Sequence, residues 1–290
     1  LSEVLQGTVV AAYGKRYNVE LSDGRLIGCV TRGKKTDLAC GDIVELRLTA
    51  NDEGVIEGFI PRKSLLYRSN AFRTKLLAAN VSQVIIVLAS QPSFYEALLN
   101  RCLVAAEAAG IKALIVLNKC DLSADERTLN ALRSYEDLGY PVLKLSATHD
   151  VSPLRPYLQG ETSILVGQSG MGKSTIVNAL LPHLNIKTQE TSEVLDSGKH
   201  TTTAAHMYHL DEHSHLIDSP GLQEFGLHHL GAEQLEYAFI EFRPYLGKCR
   251  FQNCRHLKEP DCAVVKAADT GHINPYRLSF YRELLAEIGT

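Results

Sequence analysis

No apolar run in this 290-residue chain approaches the length of a membrane-spanning helix; runs such as Val84–Ala89 and Ala113–Leu117 are strand-sized. Neither charge sign is in clear excess. The 30 basic and 33 acidic residues leave a formal net charge of -3, so any contact with nucleic acid must come from local patches. No charged segment followed by an apolar one opens the sequence, and the expected location is cytoplasmic. Internal repeats and low-complexity tracts are also missing, which argues against a solenoid or a long disordered tail. The seven cysteines do not form the framework of a small secreted domain. Cys29, Cys40, Cys102 and Cys120 are scattered, whereas Cys249, Cys254 and Cys262 cluster near a histidine.

What remains is an ordinary globular composition, 45% hydrophobic and 22% charged, in a chain long enough for two or three modest domains. Residues 1 to about 60 carry short strand-like segments, Gln6–Ala12, Tyr17–Leu21, Arg25–Cys29 and Ile43–Leu48, parted by turn signals. This spacing predicts a small antiparallel barrel. An OB-fold is expected, and an SH3-like barrel would give a similar pattern. The stretch Arg62–Lys75 holds five basic residues and no acid, and reads as a basic connector. From residue 81 strands and helices alternate. Gln83–Ala89, Lys112–Leu117, Val142–Leu145, Ser163–Val166, His206–Leu210 and His215–Ile217 read as strands. Ser93–Gly110, a segment from a Ser123 cap to Gly139, and Lys173–Leu181 read as helices. That alternation predicts a largely parallel sheet covered on both faces. After Gly226 the pattern is helical, over Gly231–Phe242 and Pro275–Ile288, around one irregular cysteine-bearing insertion.

Gly167-Gln168-Ser169-Gly170-Met171-Gly172-Lys173-Ser174, followed by Thr175, has the form of a phosphate-binding loop. Its glycines let successive backbone N–H groups face phosphate oxygens. Lys173 is placed to reach the β- and γ-phosphates, Ser174 to offer a hydroxyl to Mg²⁺, and the following helix to aim its positive end at the same anion. The strand before the loop and the helix after it oppose reading it as a chance glycine-rich turn. The loop alone does not separate ATP from GTP. Asn118-Lys119-Cys120-Asp121 does, because a carboxylate at Asp121 accepts from both the N1–H and the exocyclic amine of guanine, and adenine lacks that pair of donors. Asn118 is expected to tie the base side to the phosphate loop, and the Lys119 stem to lie along the purine. Ser146-Ala147-Thr148 follows the next strand and is placed as a second guanine-side loop.

Asp218-Ser219-Pro220-Gly221 ends a strand. Asp218 is expected to hold Mg²⁺ through water, and the Gly221 N–H to meet the γ-phosphate. Between the loops lies Gly198-Lys199-His200-Thr201-Thr202-Thr203. One of its threonines is expected to complete the Mg²⁺ shell, Thr202 being favoured among the three. Leu222 stands where Ras-like enzymes carry the glutamine that orients the attacking water. Slow intrinsic hydrolysis is therefore expected, accelerated when a partner orders these loops, with His200 a candidate to orient the water. The base motif precedes the phosphate loop, the reverse of an ordinary GTPase, so the chain reads as circularly permuted. Further on, Cys249, Cys254, His256 and Cys262 supply a Cys₃His set suited to a closed tetrahedral Zn²⁺ of structural role. Lys248, Arg250, Arg255 and Lys258 surround it, and could meet phosphates or simply face solvent.

Taken in order, these motifs closely resemble those of the bacterial small-ribosomal-subunit biogenesis GTPases, the RsgA (YjeQ) family. The likeness spans essentially the whole chain and shows no departure at Gly167–Thr175, at Asn118–Asp121 or at the four metal ligands. It implies an OB-fold barrel over residues 1–62, a circularly permuted α/β P-loop GTPase domain over 63–226 and a mainly helical zinc-binding domain over 227–290. It further implies GTP and GDP, Mg²⁺ and a structural Zn²⁺ as cofactors. Its implied partners are the 30S subunit and its 16S rRNA, with late-assembly action and ribosome-stimulated hydrolysis. The leucine after Gly221 also fits that family. The barrel, with Arg32, Lys34 and Lys35 in a loop, is expected to grip RNA. No membrane partner is expected, and the chain is expected to act as a monomer. Two other classes compete: an RNA-binding zinc protein whose nucleotide site is regulatory or vestigial, opposed by the complete set Lys173, Ser174 and Asp218, and a P-loop ATPase or small-molecule kinase, opposed by Asp121.

Overall fold

Period-two burial sets the first five strands. In β1 (Leu5–Tyr13), β2 (Arg16–Leu21), β3 (Leu26–Thr31), β4 (Ile43–Leu48) and β5 (Glu53–Phe59), every second residue faces a core of Val9, Val19, Ile27, Val44, Leu46 and Ile56. The structure is a computed structural model that describes residues 4–32, 38–70, 73–122, 126–184, 205–219 and 225–289. Neighbours run β1-β2-β3-β5-β4, and β4 pairs back onto β1, so the barrel closes. The β3–β5 pair is parallel, whereas the other neighbours are antiparallel. This circuit fits an OB-like barrel. The fifth strand is not evident in the sequence because Gly54 and Gly58 interrupt its apolar pattern. Gly54 is packed tightly: a Cβ there would lie 3.0 Å from Leu46 Cδ1 and 3.2 Å from Cys29 Sγ.

The expected basic connector instead contains a hairpin, β6 (Leu65–Asn70) and β7 (Arg73–Ala79), that forms its own two-stranded sheet. It is bound to the barrel. Ala79 N donates to Cys40 O at 2.8 Å, and Asn80 Nδ2 donates to Gly41 O at 2.8 Å. Arg62 adds a two-pronged bond to the buried Asp42, Nε to Oδ1 at 2.6 Å and an NH2 nitrogen to Oδ2 at 2.8 Å.

The central sheet contains β8 (Gln83–Ala89), β9 (Lys112–Asn118), β10 (Val142–Lys144), β11 (Thr162–Val166), β12 (His206–His209) and β13 (His215–Asp218), ordered β10-β9-β8-β11-β13-β12. All are parallel except β12. Every residue of β8 is buried, because both faces are covered. Val84, Ile86 and Leu88 join the core under helix α1 (Glu96–Ala108), whereas Ile85, Val87 and Ala89 join the core that holds Ile176 and Val177 of α4. Helix α2 (Glu126–Asp137) shares the first of these cores with α1, and α3 (Arg155–Leu158) shares the second with α4 (Lys173–Leu180). A single register contact, Ala11 to His206, joins β1 to β12 and makes barrel and central sheet one eleven-stranded sheet.

The C-terminal region holds α5 (Ala232–Ala238), a 3₁₀ segment Ile240–Tyr245, α6 (Ala263–Asp269) and α7 (Pro275–Ile288). The single helix expected over Gly231–Phe242 breaks at Phe239, whose φ of -87° and ψ of 96° are extended. Pro244 then has no N–H to give to the carbonyl four residues earlier, and the segment tightens into 3₁₀ form. Helix α7 begins as the sequence predicts, with Asn274 Oδ1 accepting from Tyr276 N at 2.9 Å and Pro275 in the first turn. Phe239, Phe242 and Tyr281 pack edge to face or stacked, in the same core as Leu99 and Leu103 of α1.

Candidate nucleotide site and metal centre

Strands β9, β8, β11 and β13 are neighbours and parallel, so their carboxyl ends share one edge. Asn118 ends β9, Gly167 follows β11, and Asp218 ends β13. Motifs 49 residues apart in sequence (118 to 167) thus emerge on the same edge, with only β8 between their strands. In open α/β sheets ligands bind along this edge. The base-side strand precedes the phosphate-loop strand in the chain and lies one strand away from it in space.

Asn118 is 2% exposed and joins two loops. Its Nδ2 donates to Met171 O at 2.9 Å, and its Oδ1 accepts from Ala147 N at 3.0 Å. The phosphate loop is therefore bonded to the strand that leads to Asp121, and that strand to the Ser146–Thr148 loop. Gly172 is required at this junction. Its φ is +89°, and a Cβ would lie 2.3 Å from Asn118 Nδ2. Gly170, φ +79°, faces Pro92.

Lys173 Nζ donates to Gly167 O at 2.6 Å and to Gln168 O at 2.7 Å, holding the loop in a closed curve. Burial pushes its ammonium below the usual lysine range, and the charge of Asp218 opposes that shift. Asp218 is 9% exposed. Burial raises its carboxyl above the ordinary 3.8, with Lys173 and His206 pulling the other way. His206 lies opposite Asp218 in the β12–β13 register. A desolvated carboxylate and the Ser174 hydroxyl in the first turn of α4 offer oxygens that fit a hard cation, and the Lys173 ammonium suits the phosphate held with it.

On the base side, Lys119 has a left-handed backbone, φ 59°, and its Nζ donates to Gln91 O at 3.0 Å. Asp121 is exposed. Its carboxyl is held below the usual range first by the Ser146 hydroxyl, which donates to Oδ1 at 2.5 Å. Cys120, also exposed, donates its N–H to Leu145 O at 3.1 Å. Gln168 Oε1 accepts from Tyr95 N at 2.8 Å, so the Gln91–Tyr95 segment lies against the phosphate loop. Ser93–Tyr95, expected at the start of a helix over Ser93–Gly110, instead precede α1, whose extended cap residue Tyr95 (φ -90°, ψ 114°) turns its N–H to the loop. Ser169 and Thr175 sit in the loop and in the first turn of α4. His200, Thr202 and the rest of Gly198–Thr203 lie outside the described residues, as do Gly221, Leu222, Ser123, Lys34 and Lys35.

The second constellation is Cys249, Cys254, His256 and Cys262, whose ligand atoms all lie within 4.8 Å of one another. His256 Nδ1 is 3.2 Å from Cys262 Sγ, 3.6 Å from Cys254 Sγ and 3.7 Å from Cys249 Sγ, and Cys249 and Cys262 Sγ are 3.8 Å apart. A tetrahedron with metal–sulfur bonds of about 2.3 Å has sulfur–sulfur edges of about 3.8 Å, and mixed edges to nitrogen slightly shorter. The four observed edges, 3.2–3.8 Å, come close to these, and the Cys₃His set suits Zn²⁺. Backbone N–H groups of Ala263 and Val265 point at the Cys249 and Cys262 sulfurs at 3.4 and 3.5 Å. The Glu236 carboxylate lies 3.4 Å from His256 Nε2, on the far side of the ring from the cluster. His256 takes φ 60°, and Arg282 Nε donates to its carbonyl at 3.0 Å. Neither Glu236 nor Arg282 was foreseen, since both come from other helices.

A family model described as RsgA GTPase matches residues 59–228. Along all 290 residues the chain is 52% identical to the small ribosomal subunit biogenesis GTPase RsgA of Nitrosospira multiformis, covering 93% of that protein. This chain belongs to the RsgA GTPase family. The RsgA of Neisseria gonorrhoeae is 52% identical over 280 residues, which cover 97% of this chain and 91% of the relative. Among solved structures, YjeQ from Thermotoga maritima superposes with a TM-score of 0.76 at 31% identity, over 99% of both chains. YloQ, described as a circularly permuted GTPase, gives 0.72 at 28% identity, over 99% of this chain and 96% of that one. Membership in RsgA accounts for the inverted motif order, and it implies a guanine nucleotide and Mg²⁺. No helix among the described residues is long and apolar enough to cross a membrane.

Proposed function

We propose that this RsgA family member hydrolyses GTP as a timer in late assembly of the small ribosomal subunit, acting as a cytoplasmic monomer on the 30S particle and its 16S rRNA. One observation carries the reading of the site: Asn118 holds the phosphate loop through Met171 while Asp121, three residues on, faces the same carboxyl edge. In this assignment Gly167–Thr175 surround the phosphates, and Lys173 neutralises β- and γ-phosphate charge. Ser174, Asp218 and Thr202 hold Mg²⁺, which when bound supplies positive charge to the phosphate oxygens. Asn118, Lys119, Cys120, Asp121, Ser146 and Ala147 form the guanine side. Gly221 contributes a backbone N–H to the γ-phosphate, and His200 orients the attacking water in place of a glutamine.

The chain divides, in this proposal, into an OB barrel at 1–62, a permuted GTPase domain at 63–226 and a zinc domain at 227–290. Cys249, Cys254, His256 and Cys262 hold the zinc. RNA contact falls to the barrel at Arg32, Lys34 and Lys35 and to Lys248, Arg250, Arg255 and Lys258 beside the metal. GTP sets the orientation of these parts on the subunit, and hydrolysis releases them. The names of the relatives, all small ribosomal subunit biogenesis GTPases, support the partner.

The deciding experiment is GTP turnover with and without purified 30S particles, with ATP as competitor. Slow turnover alone, stimulation by 30S of about tenfold or more, and no competition by ATP are expected. Absence of stimulation, with GTP still controlling 30S affinity, would favour an RNA-binding zinc protein with a regulatory nucleotide.

A further inference from the structure

The carboxylate of Asp121 has a built support. Ser146 Oγ donates to Asp121 Oδ1 at 2.5 Å, and that commits the only hydrogen of the serine hydroxyl. Two further polar atoms lie behind it. Thr148 Oγ1 is 3.1 Å and His149 Nδ1 is 3.0 Å from Ser146 Oγ, and these two are 3.1 Å from each other. The three side chains form a closed triangle with Asp121 attached at the serine corner.

The backbone beneath this triangle is pinned at both ends. His149 N and Asp150 N both donate to Ser146 O, at 2.9 and 2.8 Å. Ala147 N is held by Asn118 Oδ1, and the Asp150 carboxylate accepts from Ser152 N and Ser152 Oγ at 2.8 and 2.9 Å. The turn therefore places Ser146, Thr148 and His149 on one side by main-chain bonds rather than by chance rotamers.

The proton inventory gives the triangle a direction. Ser146 Oγ has lone pairs left after donating to Asp121. A proton on His149 Nδ1, or the Thr148 hydroxyl, fills one of them. Each such donation makes the serine hydroxyl a better donor to the carboxylate. Remove them, and the serine hydroxyl is free to turn away and Asp121 to rotate about χ2.

That rotation matters unequally for two purines. Guanine offers N1–H and an exocyclic amine, and needs both carboxylate oxygens in the plane of the base. Hypoxanthine offers N1–H alone and tolerates a tilted carboxylate. We propose that Thr148 and His149 are positioning residues that hold the Ser146 hydroxyl on Asp121 and thereby set the preference for guanine over hypoxanthine. The inference rests on the guanine site proposed above.

The test measures affinities for GDP, IDP and ADP in the full-length chain and in Thr148→Val, His149→Ala and His149→Asn. In wild type, GDP binds more tightly than IDP, and ADP binds weakly. In Thr148→Val and His149→Ala the GDP-to-IDP preference falls about threefold to tenfold, the range expected for a hydrogen bond of net strength near one kcal/mol. His149→Asn, which keeps a polar atom near the Nδ1 position, restores most of it. An unchanged GDP-to-IDP ratio in both deletions overturns the proposal, as does an equal loss for both nucleotides, which marks loop collapse. A wild type that does not distinguish GDP from ADP overturns the guanine site itself, a failure readily told apart from the other two.

Discussion

Asn118 Nδ2 donates to the Met171 carbonyl at 2.9 Å, a bond between residues 53 apart that makes the end of the base-side strand a support of the phosphate loop. The other end of the same carboxamide accepts from Ala147 N. Both ends of one buried side chain are thus used.

Asn118→Ala removes both bonds at once and leaves a buried carbonyl and a buried N–H without partners. An unsatisfied buried group costs about 1–3 kcal/mol. GDP affinity is therefore expected to fall about tenfold to a hundredfold, with a lower unfolding temperature in the nucleotide-free protein. Asn118→Asp keeps the acceptor for Ala147 N but sets a buried carboxylate oxygen against the Met171 carbonyl, so it should lose at least as much as Asn118→Ala. Titration calorimetry and thermal unfolding check both variants.

Burial raises the Asp218 carboxyl above its ordinary 3.8 even with Lys173 and His206 nearby. A raised folded-state value means that the protonated form is favoured by folding. Its contribution is present below the unfolded value and is lost as pH rises through the folded value. At neutral pH the ionised carboxylate therefore costs stability. Asp218→Asn should raise the unfolding temperature of the nucleotide-free protein at pH 7, with the gain shrinking as pH falls toward 4, and should abolish Mg²⁺-dependent GTP turnover. A variant that melts lower at pH 7 would contradict this account.

Cys254 and Cys262 belong to the same core as Phe242 and Tyr281. Stripping zinc from the native protein with a strong chelator should release a stoichiometric ion and expose residues 247–262 to protease, while GDP affinity stays within about twofold. Cys262→Ser should purify without the metal and show the same cleavage. Intact resistance to protease after complete metal loss would remove the structural role.

Arg277 of α7 is 2% exposed and bonds Glu241 at 2.6 and 3.1 Å and Asn100 Oδ1 of α1 at 2.7 Å. The pair clamps the C-terminal helices to the helix beside the central sheet. Arg277→Ala should destabilise by about 3–5 kcal/mol, because Glu241 is left as an uncompensated buried charge. Pairing Arg277→Met with Glu241→Leu should recover most of that loss in denaturant unfolding.

Much of this site could be read in advance because its chemistry is local. The glycines of Gly167–Gly172 and the Asn118–Asp121 tetrapeptide each act within a few residues. A tight turn or a cap needs nothing from the rest of the chain. Four of the five barrel strands were legible for the same reason, since period-two burial is written along each strand. The fifth was not, because its glycines serve neighbours rather than a pattern of its own. The β6–β7 hairpin was hidden by a run of basic residues that reads as solvated linker.

Juxtaposition was beyond such reading. Residue order did not state that β8 lies between β9 and β11, that Ala11 meets His206, that Arg277 reaches Asn100, or that Ser146 reaches Asp121. Those contacts join segments that exert no force on each other in an extended chain. They arise when apolar faces of many elements are buried together, and strand order and turn geometry then choose which polar groups end up within bonding distance. Local spacing specified the reagents, and long-range packing specified their meeting place.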